Sequence, residues 1–414
     1  MCAQHSQIKR KLFSSPVLYL LAIILGILSG MSDIASIQSF GLLISELFIK
    51  IFKCISLPII ALSLIVTLSG YHSEGPMHRI WQRTILYTLV TTLIAASISC
   101  LLYLLIQPAN VNLAVEVATP PASNQFDYFQ HVTNLIPSNI FSPFLEYQVM
   151  GVLLVGIVIG IGIRYIKDDQ SRNTITYFFK GAHGLFLVIT RWVVAVIPLG
   201  LYGFITATVI QLREGMDIKG IGEYLAIVVL ANLIQGFIVL PLWLKFNNIK
   251  PFVAMRGMLP ALSVAFFSKS SAGTLPITMA TAEKNLQINP RISRFILPLC
   301  TSINMNGCAA FIFATVIYLM QNHGIVITPA IMGVWIFVAT IAAIGNAGVP
   351  MGCYFLSASL LASMNVPIIL LGLILPFYSI IDMIETALNV WSDSCVAKVV
   401  NDRVDFTEEA SDIL

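Results

Sequence analysis

A stripe of polar and acidic side chains interrupts an apolar stretch near the C-terminus. A helix turns by about 100° per residue, so five of these side chains fall on one face: Asp382, Glu385, Thr386, Asn389 and Asp393. A carboxylate is costly in hydrocarbon, and within membrane helices it usually faces an ion, a partner or a water-filled cavity. The stripe therefore predicts a binding site for cations and cationic groups.

Composition indicates that most of the chain lies in a membrane. Of its 414 residues, 57% are hydrophobic and 10% are charged, whereas a soluble domain carries about 25% charged residues. Apolar runs long enough to cross a bilayer recur along the chain. The predicted spans are residues 13–31, 41–69, 84–107, 147–165, 184–210, 222–244, 292–319 and 370–397. The first run lacks a small-residue cleavage site, so we predict a retained span.

Loop charge predicts the orientation of these spans. Lys and Arg gather before the first span and after the second, fourth and sixth, whereas residues 108–147 contain neither. This alternation is the positive-inside pattern, and it predicts cytoplasmic N- and C-termini. The net charge of +3 therefore reports topology, and no nucleic-acid partner is expected.

Motifs of soluble enzyme chemistry are missing from the sequence. Six of the seven cysteines lie in apolar segments without CxxC spacing, which predicts neither a disulfide framework nor a zinc site. The sequence contains no Walker A, HExxH or GxSxG motif. We therefore expect no enzyme activity and no ATP hydrolysis.

Three apolar segments break near their middles. Residues 251–284 and 329–368 each contain a Gly-containing turn followed by Pro, at 268–276 and 345–350. Pro and Gly end helices and free backbone groups, which membranes tolerate only where protein or a cavity covers them. Paired interruptions of this kind point to a transporter site built from inverted repeats, although each alone could be a Pro kink in a plain helix.

The span between these two segments is interrupted as well. Residues 304–308 read Asn-Met-Asn-Gly-Cys. Such a sequence favours unwound helix with free carbonyls and amides that coordinate an ion or substrate. The alternative is that the two Asn side chains form hydrogen bonds between helices.

Four motifs in this order resemble the dicarboxylate/amino acid:cation symporters, the glutamate-transporter family. They are Ser-Ser-Ala-Gly-Thr-Leu-Pro at 270–276, Asn-Met-Asn-Gly-Cys at 304–308, Ala-Gly-Val-Pro at 347–350 and Asp-Met-x-x-Thr-x-x-Asn-Val-x-x-Asp at 382–393. The resemblance implies an all-α integral membrane protein with eight transmembrane helices and two re-entrant helical hairpins related as inverted repeats. It further implies a lipid-embedded homotrimer in the plasma (cell inner) membrane, working by an elevator mechanism.

The same resemblance divides the chain into a scaffold and a moving transport domain. It assigns residues 1–70 to scaffold helices 1 and 2, 71–108 to helix 3 of the transport domain, and 109–220 to an external loop with scaffold helices 4 and 5. Residues 221–400 form the rest of the transport domain, and 401–414 a cytoplasmic tail.

A set of substrate-binding residues is also implied by the resemblance. Asp382 matches the carboxylate that takes the substrate's ammonium, and Asn389 the amide that takes its α-carboxylate. The full set is Ser270, Ser271, Cys308, Gly348, Val349, Asp382, Glu385, Thr386 and Asn389.

Three cation sites are implied in the same way, and no other cofactor. The first has Asp393, Asn389, Asn304 and the backbone near Cys300, and the second Ser302 with carbonyls of Ala343, Ile344 and Asn346. The third has Thr91, Thr92 and Asn306, but Asn306 replaces the Asp of the family. Losing the one carboxylate of a buried ion site removes its charge compensation. Coupling is therefore expected to use fewer sodium ions, or protons.

Two departures from the family pattern bear on the substrate. Glu385 replaces the Arg of members that take acidic amino acids, and Cys308 replaces a Thr. A substrate carboxylate beside Glu385 would be repelled, which favours a symporter of neutral or cationic amino acids. Two effects would weaken this argument: pairing of Lys269 with Glu385 or Asp382, or protonation of Glu385. The alternatives are a sodium-coupled acidic amino acid or dicarboxylate symporter, and a channel or sensor on the same fold.

Overall fold

The computed structural model describes residues 15–69, 76–111, 137, 139–146, 149–213, 219–346, 348, 351–364, 366 and 369–403. Regular structure within these ranges is helical, with no strand. The α-helices, in chain order, are α1 Ser15–Met31, α2 Ala35–Ser69, α3 Pro76–Ile106, α4 Ser142–Leu145, α5 Val149–Arg164, α6 Asp169–Ala195, α7 Ile197–Arg213, α8 Lys219–Ile234, α9 Leu240–Phe246, α10 Pro251–Ser268, α11 Ser271–Asn285, α12 Pro290–Ile303, α13 Asn306–Asn322, α14 Pro329–Ile344, α15 Gly352–Ser363 and α16 Ile369–Asp402.

Helices of this chain have the length and composition of membrane spans. Five described segments qualify: Ile80–Ile106, Lys219–Phe246, Pro251–Ser268, Pro290–Asn322 and Leu370–Asp402. Large apolar side chains lie exposed along the outer faces of four of them, as at Phe237 and Leu259, whereas the apolar window of Pro290–Asn322 is buried inside the protein. A helix satisfies its own backbone hydrogen bonds, so it can present such a surface to lipid.

One predicted span is wrong, because residues 184–210 do not form a single helix. The chain ends α6 at Ala195 and begins α7 at Ile197. Pro198, the second residue of α7, has no N–H to donate to the preceding turn, so one α-helical hydrogen bond is missing at this point. Elsewhere helices extend beyond the apolar runs, as where α2 begins at Ala35 rather than residue 41.

Helix α13 is the centre of the packed structure. Every residue from Asn306 to Met320 is buried, and α13 packs against α3, α8, α14, α15 and α16. An apolar helix of this kind is covered on all sides. The start of α13 therefore lies within the protein interior.

The three predicted breaks are confirmed. Lys269, in left-handed conformation (φ 55°), separates α10 from α11, and the Ser270 side chain caps α11 by accepting from Gly273 N at 3.0 Å. Asn304 and Met305 interrupt α12 and α13 with non-helical backbone angles. Residues 345–351 separate α14 from α15. Gly348 there has φ of 61°, a conformation that favours glycine.

A fourth irregularity lies between α8 and α9, where Gln235–Val239 forms a π-helical turn. Pro241 has no N–H to donate backward. The carbonyl of Gly236 instead accepts from Trp391 Nε1 of α16 at 3.1 Å. Such turns insert a residue into a helix and are frequent at functional sites.

Candidate functional site

The predicted stripe on α16 is buried against the breaks. Its five side chains are each at most 5% exposed: Asp382, Glu385, Thr386, Asn389 and Asp393. The stripe contacts the start of α13, the end of the third break and the end of α12, as the hydrogen bonds below show. The fold thus brings together the motifs that lie far apart in the sequence.

Asp382, on α16, lies beside the start of α15. Its Oδ2 accepts from Met351 N at 3.2 Å, and its carbonyl accepts from Thr386 Oγ1 at 2.7 Å. The charge of Lys269 also acts on Asp382, while Lys269 Nζ donates to Ser379 Oγ at 3.2 Å. Lys269 thus lies close enough to Asp382 for their charges to interact, while its Nζ is hydrogen-bonded to Ser379.

The carboxyl group of Glu385 has one oxygen with a hydrogen-bond partner and one without. Tyr378 Oη donates to its Oε2 at 3.3 Å, and its Oε1 has no hydrogen-bond partner in the described part of the chain. Asp382 is the charged group acting on it. The Oδ1 of Asn232 is likewise buried without a partner there. Gly307 lets α13 approach both residues, since a Cβ at 307 would lie 2.7 Å from that Oδ1 and 2.8 Å from Glu385 Cα.

Asn389 faces the start of α13. Its Oδ1 accepts from Gly307 N at 2.9 Å, and its Nδ2 lies 3.5 Å from Cys308 Sγ. Its side chain is therefore held at the unwound segment.

The tips of the first and third breaks contact each other. The carbonyl of Gly348 accepts from Ser270 Oγ at 3.3 Å and from Ala272 N at 3.4 Å. Ser271 is buried at the first position of α11. Val349 lies outside the described residues.

One polar cluster surrounds the carboxylate of Asp393. Asn304 Nδ2 donates to its Oδ1 at 3.0 Å, and Thr301 Oγ1 to its Oδ2 at 3.4 Å. The carbonyl of Cys300 accepts from Asn304 N at 2.7 Å. Both side-chain donors are neutral, so the carboxylate and its neighbouring oxygens suit a hard cation.

A second polar cluster surrounds the amide of Asn306. Its Nδ2 donates to Thr91 Oγ1 and Thr92 Oγ1, each at 3.4 Å, and to Asn304 Oδ1 at 2.8 Å. Gln235 Nε2 donates to Asn306 Oδ1 at 2.6 Å and to Thr91 O at 3.1 Å. The side-chain amide of Asn306 thus donates to the oxygens of Thr91, Thr92 and Asn304, where the sequence predicts a cation site.

The predicted second cation site is divided between α12 and the end of α14. Asn346 N donates to the carbonyl of Ala343 at 3.1 Å, and Ile344 is the last residue of α14. The Asn346 side chain contacts Cys308 Sγ, 2.9 Å from its Nδ2, and its Oδ1 has no partner among the residues described. Ser302 is partly buried on α12, which packs against α14.

The expectation of no disulfide is wrong. Cys308 and Cys353 are bonded, with Cα atoms 5.5 Å apart. Their sequence separation of 45 residues resembles no local motif, and only the packing of α15 on α13 brings them together. Cys54, Cys100, Cys300 and Cys395 are free.

Sequence reasoning misses five further residues around the site. Gln235 and Thr301 are polar residues inside predicted spans, so a search for such residues would find them. Met351, Cys353 and Tyr378 join the site through tertiary packing. No sequence signal marks those three.

In the described residues, helices with apolar outer faces enclose a buried polar site at helix breaks, an arrangement typical of membrane transporters. Residues 16–403 match the sodium:dicarboxylate symporter family, and the chain belongs to that family. The predicted membership is confirmed. Because the family consists of transporters, the prediction that the chain is not an enzyme is confirmed as well.

Relatives of this chain include two kinds of mammalian transporter. The human neutral amino acid transporter B(0) is 27% identical over 403 residues, covering 88% of this chain and 74% of the human protein. The bovine neutral amino acid transporter A is 26% identical over 399 residues, covering 86% of this chain and 75% of its own.

Proposed function

We propose that this chain is a cation-coupled symporter that takes up a neutral amino acid. The observation that carries the proposal is the buried stripe of α16, which holds Asp382, Glu385 and Asn389 against the helix breaks. The relatives' names, which refer to neutral amino acids, support a substrate of that class.

In this proposal, opposite groups bind the two charges of the substrate backbone. Asp382 binds the α-ammonium, because a fixed carboxylate compensates a buried cation. Asn389, with Ser270 and Ser271 at the start of α11, donates to the α-carboxylate without adding charge. Thr386, Gly348, Val349 and Cys308 complete the cavity.

Acidic substrates are disfavoured by the charge at Glu385. Glu385 and Asp382 place two acidic groups together on α16, so a substrate side-chain carboxylate beside an ionised Glu385 would meet repulsion that is poorly screened in a buried site. The unpartnered Oε1 of Glu385 suits a hydroxyl donor, as in serine or threonine. A cationic side chain is the second candidate, because the same oxygen would compensate its charge.

Coupling in this proposal uses sodium at Asp393, with a proton as the alternative ion. Asp393, Asn389, Asn304 and the Cys300 carbonyl supply the first site. Ser302 with the carbonyls of Ala343, Ile344 and Asn346 supplies the second. The cluster of Thr91, Thr92 and Asn306 takes no cation, because the Asn306 amide already satisfies its oxygens.

The family supports a larger architecture, which we propose for this chain too. It has eight membrane helices and two re-entrant hairpins, α10–α11 and α14–α15. Residues 1–70 and 109–220 form the scaffold of a homotrimer in the plasma membrane, with cytoplasmic termini and the tail 401–414. Residues 71–108 and 221–400 move as an elevator.

Uptake into proteoliposomes tests the proposal directly. We expect concentrative uptake of radiolabelled serine or alanine that stops when the sodium and proton gradients are dissipated. Asp382→Asn should abolish uptake, because the substrate's ammonium loses its compensating charge, whereas Asp402→Asn on the same helix should transport normally. Uptake that persists without any ion gradient indicates a channel, and normal kinetics in Asp382→Asn exclude the anchor role.

Glu385→Gln separates neutral from cationic substrates. For a neutral substrate, glutamine keeps the shape of the side chain and one acceptor oxygen, so uptake should change by less than about threefold, under 1 kcal/mol. For a cationic substrate, uptake of lysine or arginine should fall at least about a hundredfold, since a buried charge loses its partner. Competition against labelled serine by aspartate, lysine and alanine measures both. Strong inhibition by aspartate at neutral pH would refute the assignment of Glu385.

A further inference from the structure

The Cys308–Cys353 bond joins two parts of the site that no local motif connects. Cys308 lies in the first turn of α13, and Cys353 in the first turn of α15. Both side chains are 1% exposed. The four free cysteines in the described ranges have no such partner thiol: Cys54, Cys100, Cys300 and Cys395.

The bond restrains the segment that covers Asp382. Met351, directly before α15, donates to Asp382, so α15 is anchored at its start to the predicted substrate anchor. Noncovalent contacts also join this region to α13, as between Asn346 Nδ2 and Cys308 Sγ at 2.9 Å. A hydrogen bond of this kind breaks and reforms readily, whereas a disulfide holds α15 on α13 until it is reduced.

A proton acceptor lies beside the two sulfurs. A carboxylate oxygen of Glu385 lies within 4.8 Å of both Sγ atoms, and its Oε1 has no partner among described residues. The thiolate is the nucleophile in thiol–disulfide exchange. Glu385 can therefore take the proton that an attacking thiol must release.

We propose that Cys308 and Cys353 form a thiol–disulfide switch that locks the α14–α15 hairpin. The oxidant is a low-molecular-weight disulfide, RSSR, that reaches the thiols when the hairpin opens. One thiol gives its proton to Glu385 and attacks RSSR, forming a mixed disulfide and releasing RS⁻, which takes that proton. The second thiol displaces the other RSH. The balance is two protein thiols plus RSSR giving one protein disulfide and two RSH.

The functional effect rests on the proposed transport function, because it requires α15 to move during substrate entry or release. In the oxidised protein α15 stays on α13 and uptake stops. Reduction frees α15 and restores uptake. The bond itself and its effect on α15 motion can be measured without any transport.

The test compares reduced and oxidised full-length protein in proteoliposomes. Oxidised glutathione is the oxidant and a phosphine the reductant. Differential alkylation with mass spectrometry should find Cys308 and Cys353 linked after oxidation, and serine uptake should fall at least tenfold and recover on reduction. Cys353→Ser should lose the sensitivity to oxidant, measured as the ratio of its own uptake before and after oxidised glutathione. Cys395→Ser, which removes a buried free thiol, should keep it.

Several results would overturn the switch. They are failure of the two cysteines to link, linkage without loss of uptake, and equal inhibition of Cys353→Ser. If the reduced protein takes up no substrate, the proposed transport function fails instead. In that case amide hydrogen exchange over residues 352–363 tests the switch. Exchange should be slower in the oxidised protein than in the reduced protein, and equal rates would reject the switch.

Discussion

Two buried polar clusters meet at Asn304, and they differ in charge. On one side Asn304 Nδ2 donates to the carboxylate of Asp393. On the other its Oδ1 accepts from Thr91 Oγ1 at 3.1 Å and from the neutral amide of Asn306. Both clusters are buried and rich in oxygen. The Asp393 cluster contains a carboxyl group whose two side-chain donors are neutral, whereas the oxygens of the Asn306 cluster accept from the amide of Asn306 and that of Gln235.

The comparison indicates what makes a buried oxygen cluster require a cation. Oxygen ligands are present in both places, so ligand type alone does not separate them. A buried charge needs a compensating charge, and a satisfied neutral network does not. We therefore infer that the Asp393 cluster binds a cation. In the Asn306 cluster the side-chain amide makes the contacts that a cation would otherwise make.

Asn306→Asp should have the largest effect, because it makes the two clusters alike. A carboxylate at 306 would face the oxygens of Thr91, Thr92 and Asn304 without compensation, and without sodium the protein should lose about 3–5 kcal/mol of stability. Sodium should restore most of this loss. Thermal unfolding in sodium against N-methylglucamine measures both, with Asn322→Asp at the end of α13 as the control. A sodium response equal to that of the unmodified chain would contradict the inference.

Asp393→Asn should have the next largest effect, because it makes the clusters alike in the opposite direction. We expect the half-saturating sodium concentration for substrate binding to rise at least about tenfold, or 1.4 kcal/mol. Titration of sodium at fixed substrate measures it. Asp402→Asn, which removes a carboxylate paired with Lys398 at the end of the same helix, should leave the titration unchanged. If Asp393→Asn leaves it unchanged as well, the cation lies elsewhere.

Thr92→Val should have the smallest effect and sharpens the distinction. It removes one acceptor, 3.4 Å from Asn306 Nδ2, while Thr91 and Asn304 remain. We expect a loss of about 0.5–1.5 kcal/mol in stability and no change in sodium dependence. In the Asn306→Asp background the same substitution should weaken the sodium response. An altered sodium dependence in Thr92→Val alone would mean that the Asn306 cluster does bind a cation.

The breaks in the helices could be predicted from the sequence, because local chemistry sets them. Pro and Gly do not end a helix wherever they lie, since Pro58, Pro260 and Pro376 are inside helices of this chain. The interruptions at 269–270, 304–305 and 345–351 instead lie where small and polar residues cluster in an apolar segment. The single span at 184–210 failed because hydropathy counts apolar residues on both sides of a break, although Pro198 marks it. Some helices begin before their apolar run, as α2 does at Ala35 rather than residue 41, since polar residues such as Gln38 continue a helix without raising its hydropathy.

The tertiary part of the site could be predicted only partly. The stripe of α16 follows from helical periodicity, and its burial follows from the cost of exposing carboxylates to lipid. Gln235 and Cys353 reach the site through a π-helical turn and through the packing of α15 on α13. Both depend on contacts between distant segments, which periodicity does not encode.

The contact between the tips of α11 and the α14–α15 hairpin has a consequence for timing. The Gly348 carbonyl receives two long hydrogen bonds, at 3.3 and 3.4 Å. Together they contribute about 1–3 kcal/mol, which biases an equilibrium by roughly 5–150-fold. A contact of this strength between the two tips opens often. We propose that a bound substrate with a few contacts to both tips lengthens the time for which they stay closed. Residence time in the closed state would then report whether the cavity is loaded, and single-molecule distances between the two tips with and without serine would measure it.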